Sequence, residues 1–359
     1  MYHPEPDKRP YIPIAFISDT HLFKETALTD SLVELLKNVR FGAIFFMGDW
    51  EDSLVRAREE KWRGESPPVP DGVLRVFDIL NQKRLEEGTS LFLCPGNHDN
   101  GYRQLLDPVR QKERQATEDL LGIKIIEPFI FEAADGKDYI AFHGDHFDSP
   151  FVRHVLYGVG DALYGVLAKV AGSHTASVVK KFFKFFENFY NHDRLLVEEA
   201  ERYKTNGTIS GHTHLPGQKT ISRKGMAVEA YNTCFIDGDP YFLAVDEKGK
   251  LDLVNWAQRR VEMGLDRAVP AIENTGAVYR PLSLKQVFHI MANMKPLPQQ
   301  LEDQYIGLPD PAHIRRIRQS DIVRAFNAAG DRSKPPELNE GYIPLPCADT
   351  QIRESLNPC

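Results

Sequence analysis

The segment Ala43-Ile44-Phe45-Phe46-Met47-Gly48-Asp49 decides the fold of this 359-residue chain. Its four consecutive apolar residues, Ile44 to Met47, predict a strand buried on both faces, as in the central sheet of an α/β protein. Gly48 then provides a turn, and Asp49 projects from the carboxyl end of the strand, where open α/β sheets bind their ligands. A carboxylate in this position is costly to keep charged unless a positive charge lies beside it. The segment therefore indicates a cationic partner for Asp49.

Five apolar strands of the chain, including this one, end in polar side chains that are able to bind metals. These side chains are, in chain order, Asp19 and His21, Asp49, Asn97 with His98 and Asp99, His143, and His212 with His214. A single D-x-H or H-x-H motif would arise by chance, and a lone histidine of this kind is most often structural. Five such groups in this order, each at a strand-to-loop junction, predict that the side chains converge on one edge of a sheet.

Strands and helices alternate along most of the chain, which is typical of an α/β fold. The apolar runs predict strands at 12–17, 44–47, 90–94, 129–132, 139–142 and 207–210, and helical periodicity predicts helices at 28–40, 72–86 and 110–121. The segments 227–231, 241–245 and 251–256 are expected to be strands of a second sheet layer.

The pattern predicts one domain over residues 11–261 with a helical insertion at 150–206 and an extension at 262–359. The extension holds 11 of the 24 prolines, which separate two expected helical stretches near 283–294 and 312–329. Its weak periodicity favours an extended tail that wraps the core or a partner.

Composition excludes several classes of protein. The hydrophobic fraction of 42% and charged fraction of 26% are ordinary for a soluble globular protein. A net charge of -7 without a dense basic stretch disfavours nucleic acid as a partner. The four scattered cysteines indicate neither a zinc ribbon nor a disulfide scaffold, and no apolar run is long enough to span a membrane. We therefore expect a cytoplasmic protein.

The five motifs resemble those of the calcineurin-like metallophosphoesterase family, which are D-x-H, G-D, G-N-H-[DE], H and G-H-x-H. They correspond here to Asp19-Thr20-His21, Gly48-Asp49, Gly96-Asn97-His98-Asp99, His143 and Gly211-His212-Thr213-His214. The resemblance implies a two-sheet αββα sandwich, an α/β fold with two divalent metal ions. It also implies the ligands: Asp19, His21, Asp49 and His214 for one ion, and Asp49, Asn97, His143 and His212 for the other.

The ligand chemistry agrees with these implied roles. Carboxylate, imidazole and amide donors without a thiolate suit Mn²⁺, Fe or Zn²⁺, of which we expect Mn²⁺. Two close cations need a shared anion such as Asp49, and a hydroxide bridging them would be the nucleophile that cleaves a phosphodiester or diphosphate bond. His98 is expected to stabilise transition-state charge or to protonate the leaving oxygen, with Asp99 orienting its ring.

The substrate class is narrowed by two local patterns. Residues 48–53 lack the arginine of the G-D-x-V-D-R-G motif, which argues against a Ser/Thr protein phosphatase. The run from His143 to Asp148, followed by a helical insertion, resembles the branch that contains the UDP-2,3-diacylglucosamine diphosphatases. In that branch the insertion covers the metals and receives acyl chains, although its members commonly carry arginine in place of His98 and lack an extension like 262–359. A paralogue that acts on another nucleoside diphosphate or phosphodiester is the open alternative.

The insertion also carries the candidate substrate-binding residues, which are Arg153, Lys181, Phe182 and Phe186. The aromatic face that contains Phe182 and Phe186 has lysines opposite it. It would receive lipid chains or lie on an anionic membrane surface as a peripheral contact. Packing of this face on the protein core is the simpler interpretation.

Two further functions are alternatives to the diphosphatase hypothesis. A phosphodiesterase or nuclease acting on nucleotides would use the same metal ligands, although the negative net charge disfavours a nucleic-acid substrate. A non-catalytic scaffold that retains a metal site would be marked by a lost ligand or by the loss of His98, and all of these residues are present.

Overall fold

The computed structural model describes residues 9–23, 29–51, 69–148, 192–223, 225–236, 239–265 and 307–329, with the single positions 286, 287, 290 and 294. Its strands are β1 (Tyr11–Ile17), β2 (Arg40–Phe46), β3 (Ser90–Leu93), β4 (Lys124–Ile125), β5 (Phe129–Glu132), β6 (Asp138–Ala141), β7 (Gly207–Ser210), β8 (Gly217–Arg223), β9 (Met226–Asn232), β10 (Cys234–Ile236), β11 (Asp239–Val245), β12 (Leu251–Asn255) and β13 (Arg315–Arg318). Its helices are α1 (Thr29–Asn38), α2 (Asp71–Gln82), α3 (Asn100–Gln104), α4 (Gln111–Leu121), α5 (His192–Tyr203), α6 (Trp256–Glu262) and α7 (Gln319–Ala329).

Strand β2 is buried on both faces, which confirms the prediction made from its apolar run. Ile44 and Phe46 pack in one hydrophobic core with residues of α1 and α2. Ala43 and Phe45, which alternate with them, pack in a second core on the opposite face. The strand has no polar face because protein covers it on both sides.

The first sheet has seven strands in the order β10-β11-β1-β2-β3-β4, with β12 also paired to β11. Strands β1, β2, β3 and β4 run parallel. Ile17 pairs with Phe46, and Phe46 pairs with Leu93, so the first three of these strands end level with one another. The loops that follow them therefore begin at the same edge of the sheet.

The second sheet has six strands in the order β13-β5-β6-β7-β9-β8. Strands β6 and β7 are parallel, and Ala141 pairs with Ile209, so they also end together. The residues that follow, His143 after β6 and His212 after β7, are thereby delivered to one edge of this sheet.

The two sheets pack face to face with helices outside both, which confirms the expected αββα sandwich. Phe16 and Phe45 of the first sheet share a core with Phe131 and Ile209 of the second. Helices α1 and α2 cover the outer face of the first sheet, and α5 covers the outer face of the second. None of the described helices has the length and hydrophobicity needed to cross a membrane.

The expectation that 241–245 and 251–256 belong to the second sheet layer was wrong. Strand β11 pairs antiparallel with β1 in the first sheet, and β12 pairs with β11. Of the three segments, only the one that forms β9 lies in the second sheet. A short apolar run predicts a buried strand, but it does not indicate which of the two sheets the strand joins.

The helix expected at 312–329 is shorter than predicted, because Arg315–Arg318 forms a strand parallel to β5. Helix α7 begins at Gln319, and its Phe326 ring stacks on Tyr11 of β1 with ring centroids 5.1 Å apart. Pairing with a non-local strand outweighs the local helical preference here. The other expected helix, at 283–294, lies almost entirely outside the described residues.

Candidate metal centre

The loops that follow β1 and β2 are joined by two backbone hydrogen bonds at the candidate site. The N–H of Asp19 donates to the carbonyl oxygen of Gly48 at 3.0 Å. The N–H of His21 donates to the carbonyl oxygen of Asp49 at 2.9 Å. These bonds set the side chains of Asp19, His21 and Asp49 side by side at the ends of β1 and β2.

The second sheet contributes its residues through a direct bond to the first. The N–H of His212 donates to both carboxylate oxygens of Asp19 at 3.1 Å. On the same edge, Nδ1 of His143 lies 2.8 Å from the carbonyl oxygen of Met47. The two sheets thus meet at the predicted site.

The predicted ligands form two groups that share Asp49. Asp19, His21, Asp49 and His214 each offer one ligand atom, and these atoms lie within 4.8 Å of one another. Asp49, His143 and His212 do the same. The seventh predicted ligand, Asn97, adds an amide oxygen to this second group, since its Oδ1 lies 3.2 Å from Nε2 of His143.

Several pairs of predicted ligand atoms within the two groups lie close together. Nε2 of His214 lies 3.3 Å from Oδ1 of Asp19 and 3.2 Å from Nε2 of His21. Nε2 of His143 lies 3.3 Å from Oδ2 of Asp49. Asp19, His21, Asp49 and His143 are all buried, so their charges must be compensated within the protein.

The backbone at these residues adopts a conformation that side chains disfavour. Six non-glycine residues of the described chain have a positive φ, and five of them are predicted ligands: Asp19 (56°), His21 (43°), Asp49 (51°), His212 (71°) and His214 (55°). Such a conformation costs on the order of 1–3 kcal/mol for a residue and persists only where the surrounding structure enforces it. Strain concentrated in this way is typical of a functional site.

Two motif glycines allow the close approach of these groups. A Cβ at Gly48, whose φ is +87°, would lie 2.3 Å from Nδ1 of His143. A Cβ at Gly96 would lie 2.3 Å from Oδ1 of Asp49. Any side chain at either position would displace a predicted ligand, which is the physical reason for glycine in G-D and G-N-H.

The charges of the site favour a cation. Burial alone would raise the pKa of the Asp49 carboxyl, but the imidazoles of His143, His98 and His21 outweigh it and hold that pKa well below its usual range. Burial alone would lower the pKa of His143, but the Asp49 carboxylate outweighs it and raises the pKa to about 10. The Asp49 carboxylate therefore favours the protonated form of His143, and a divalent ion would displace that proton and take over its role.

The donor atoms fit a pair of divalent transition ions. They comprise carboxylate oxygens, imidazole nitrogens and one amide oxygen, with no thiolate, a set that suits Mn²⁺, Fe or Zn²⁺. Asp49 belongs to both groups and is the carboxylate able to serve two ions at once.

His98 lies at the rim of this centre. Its backbone N–H donates to Oδ1 of Asp49 at 3.0 Å, and its Nε2 lies 4.0 Å from Oδ2 of the same residue. Its ring meets the ring of His21 edge to face, with centroids 5.0 Å apart. The side chain is 15% exposed, so a ligand at the metals would be within reach of this ring.

Asp99 is fully buried and holds two loops together. Its carboxylate accepts from the backbone N–H of Trp50 at 3.0 and 3.2 Å, of Glu51 at 3.4 Å and of Gly96 at 3.3 Å. Burial and the nearby Asp49 carboxylate raise its pKa to about 6. That Asp99 also orients the His98 ring remains a prediction.

Sequence reasoning assigned no role to three polar groups that support the site. Oδ2 of Asp148 lies 2.7 Å from Nε2 of His212. Arg103 donates to both oxygens of Asp145 at 2.8 and 3.0 Å and to the carbonyl oxygen of Pro95 at 3.0 Å. The run from His143 to Asp148 was visible in the sequence, but nothing in it indicates which residues these acids meet.

Ser18 is the third such group. Its hydroxyl lies 2.5 Å from Oδ2 of Asp19, and the Thr233 hydroxyl donates to Ser18 Oγ at 2.8 Å. Thr233 lies between β9 and β10, so a sequence search for metal ligands has no means of finding it. The predicted substrate-binding residues Arg153, Lys181, Phe182 and Phe186 lie outside the described part of the chain.

The sequence model described as calcineurin-like phosphoesterase matches residues 12–216. This span contains all seven predicted metal ligands. No curated protein matches the chain.

Several solved structures are similar to the chain at low identity. An archaeal phosphodiesterase is 16% identical over 67% of this chain and 98% of its own, with a TM-score of 0.31. A Vps29 single mutant from Entamoeba histolytica is 12% identical over 67% and 98%, with a TM-score of 0.29. The phosphopantetheinyl hydrolase of Mycobacterium tuberculosis is 14% identical over 63% and 90%, with a TM-score of 0.28. At such scores no residue role follows from these likenesses.

Proposed function

Because the chain belongs to the calcineurin-like phosphoesterase family, we propose that it hydrolyses a phosphodiester or diphosphate bond with the help of two divalent metal ions. Family membership makes it a metal-dependent phosphoesterase. The observation that carries the finer proposal is the pair of donor groups that meet at the shared carboxylate of Asp49.

The ligands of each ion follow from the two groups. Asp19, His21, Asp49 and His214 would hold one ion. Asp49, His143 and His212, with the amide oxygen of Asn97, would hold the other. Bound there, Mn²⁺, Fe or Zn²⁺ would neutralise phosphate charge and lower the pKa of water.

His98 is the chain's candidate for direct contact with the reacting group. Its ring lies at the rim of the centre and is partly exposed, whereas the rings of His21 and His143 are buried among the carboxylates. From this position it would stabilise charge on the phosphoryl oxygens or protonate the leaving oxygen. Asp99 supports it by joining the Trp50 and Gly96 backbones beneath the site.

The substrate proposed is a small molecule with a nucleotide-linked or lipid-linked phosphate. The run from His143 to Asp148 and the insertion at 150–206 support a UDP-2,3-diacylglucosamine-like substrate. His98 at the position of the arginine common in that branch, and the extension at 262–359, favour a paralogue with a different substrate.

The test is a hydrolysis screen of Mn²⁺-loaded and chelator-treated protein. Bis(p-nitrophenyl) phosphate and p-nitrophenyl phosphate distinguish a diesterase from a monoesterase, and nucleotide-linked diphosphates with and without acyl chains then define the leaving group. We expect metal-dependent turnover of a diester or diphosphate. Protein with bound Mn²⁺ that turns over none of these compounds would contradict the proposal and favour a scaffold.

A further inference from the structure

A partly buried acid contacts one of the predicted metal-binding histidines. Oδ2 of Asp148 lies 2.7 Å from Nε2 of His212, and the two side chains are 16% and 14% exposed. An imidazole has two nitrogens, and this contact engages Nε2. Because His212 also offers a ligand atom to the group with Asp49 and His143, an ion in that group would bind at Nδ1.

His143, the other histidine of this group, makes its supporting contact through Nδ1 instead of Nε2. Its Nδ1 lies 2.8 Å from the carbonyl oxygen of Met47, while its Nε2 lies 3.3 Å from Oδ2 of Asp49. His143 thus bonds the backbone through Nδ1 and meets Asp49 through Nε2, whereas the contact of His212 Nε2 with Asp148 leaves Nδ1 of His212 for an ion. The difference is that His143 is held by a neutral carbonyl and His212 by a carboxylate.

The two donor groups also differ in charge. The first contains two carboxylates, Asp19 and Asp49. The second contains only Asp49, which it shares, and its other donors are imidazoles and an amide, which are neutral when they bind a metal. A divalent ion in the second group would be under-compensated by its direct ligands, and an acid behind one of them adds negative charge at short range.

We propose that Asp148 is a positioning residue of the second metal site, where it fixes the tautomer of His212 and supplies the negative charge that this site otherwise lacks. This inference rests on the proposed function, since it assumes that both donor groups bind metal. Loss of a partner of this kind typically weakens metal binding by about 10–100-fold. The loss should affect mainly the ion of the second group, because the printed contact of Asp148 is to His212, which belongs to that group.

The experiment is a Mn²⁺ titration of chelator-treated protein, followed by equilibrium dialysis and elemental analysis. It compares wild type with Asp148→Ala, which removes both hydrogen bond and charge, and Asp148→Asn, which keeps an acceptor oxygen without the charge. Asp193→Asn is the matched control, because Asp193 is an acid paired with Lys219 rather than with a predicted ligand. Melting of the metal-free proteins reports whether a variant is merely unfolded.

We expect wild type and Asp193→Asn to bind two ions with the same pair of affinities. Asp148→Ala should bind the first ion as wild type does and the second about 10–100-fold more weakly, with Asp148→Asn in between. Equal weakening of both ions would overturn the inference, as would wild-type affinity for both. Wild type that binds no Mn²⁺ would instead overturn the proposed function, and this inference with it.

Discussion

The backbone N–H of His212 donates to both carboxylate oxygens of Asp19 at 3.1 Å, although 193 residues separate them in the chain. Asp19 follows β1 of the first sheet, and His212 follows β7 of the second. The bond therefore exists only when the sandwich is assembled. Metal binding at this candidate centre would be coupled to folding of the whole domain for that reason.

Asp49→Ala should abolish binding of both ions and turnover together, because one side chain belongs to both donor groups. Elemental analysis after loading with Mn²⁺, alongside a hydrolysis assay, measures this directly. Asp30→Ala is the control, since that carboxylate is exposed and pairs with Arg75. Two bound ions in the Asp49 variant would contradict the shared-ligand assignment.

His98→Ala should leave the metal content unchanged and lower the turnover rate by about 10²–10⁴-fold, the usual size of a general-acid contribution. The reason is that its ring lies at the rim of the centre rather than within either donor group. Steady-state kinetics with a matched His313→Ala control, at an exposed histidine, provides the measurement. A rate equal to wild type would remove His98 from the mechanism.

Gly96→Ala should displace Asp49, because the new Cβ would lie 2.3 Å from its Oδ1 and 2.6 Å from its backbone nitrogen. We expect a loss of about 1–3 kcal/mol in the free energy of unfolding, as for other overpacked sites, together with reduced Mn²⁺ binding. Gly307→Ala is the control, since a Cβ there meets no atom within 4 Å. Urea denaturation of both variants tests the difference, and equal stability would refute it.

Arg103→Met should destabilise the fold by about 3–5 kcal/mol, since it leaves the buried Asp145 carboxylate without its cation. The double variant Arg103→Met with Asp145→Asn should lose less than the sum of the single losses, because neither charge is then left unpaired. Urea denaturation of all four proteins measures this coupling. Arg75→Met, at an exposed ion pair with Asp30, should change the free energy of unfolding by about 1 kcal/mol or less. Additive losses would show that the buried pair is not coupled.

His192 should make stability depend on pH. Burial lowers its pKa to about 4, with Lys219 and His212 acting in the same direction and Asp193 and Asp148 opposing them. Between an unfolded pKa of about 6.5 and this value only the unfolded chain binds the proton, so stability is complete above pH 6.5 and falls as the pH drops toward 4. Protonation of this group should lower the free energy of unfolding by about 3 kcal/mol over this pH range.

The measurement is the free energy of unfolding of wild type and His192→Gln between pH 4 and 7. The difference between the two free energies of unfolding at each pH isolates the contribution of His192 from that of the other buried titratable groups. We expect the variant to lack that part of the pH dependence. Parallel curves would contradict a buried neutral histidine at this position.

Local sequence was sufficient to place the predicted metal ligands at strand ends. An apolar run such as 44–47 predicts a buried strand, and the polar residues that follow the run, here Gly48 and Asp49, mark where it ends, so each motif could be located without its neighbours. The αββα fold and the family followed from the order of five such motifs. The grouping of ligands into two sets that share Asp49 was an implication of the family resemblance, and the geometry of the described residues agrees with it.

The assignment of strands to sheets could not be made from the sequence. The apolar run of β11, Tyr241 to Val245, suits a buried strand of either sheet, and only its pairing with β1, in which Leu243 meets Phe16, decides between them. Arg315–Arg318 likewise became a strand through its contact with β5, against its local helical preference.

The sequence by itself therefore determined which side chains this protein presents at the ends of its strands, because strand, turn and ligand are adjacent in the chain. Only the tertiary structure decided which other residues contact and support those side chains. The Asp148 contact to His212 and the Arg103 contact to Asp145 join loops that are far apart in sequence. Their energies depend on distances of a few ångströms, which arise only when both sheets are packed together.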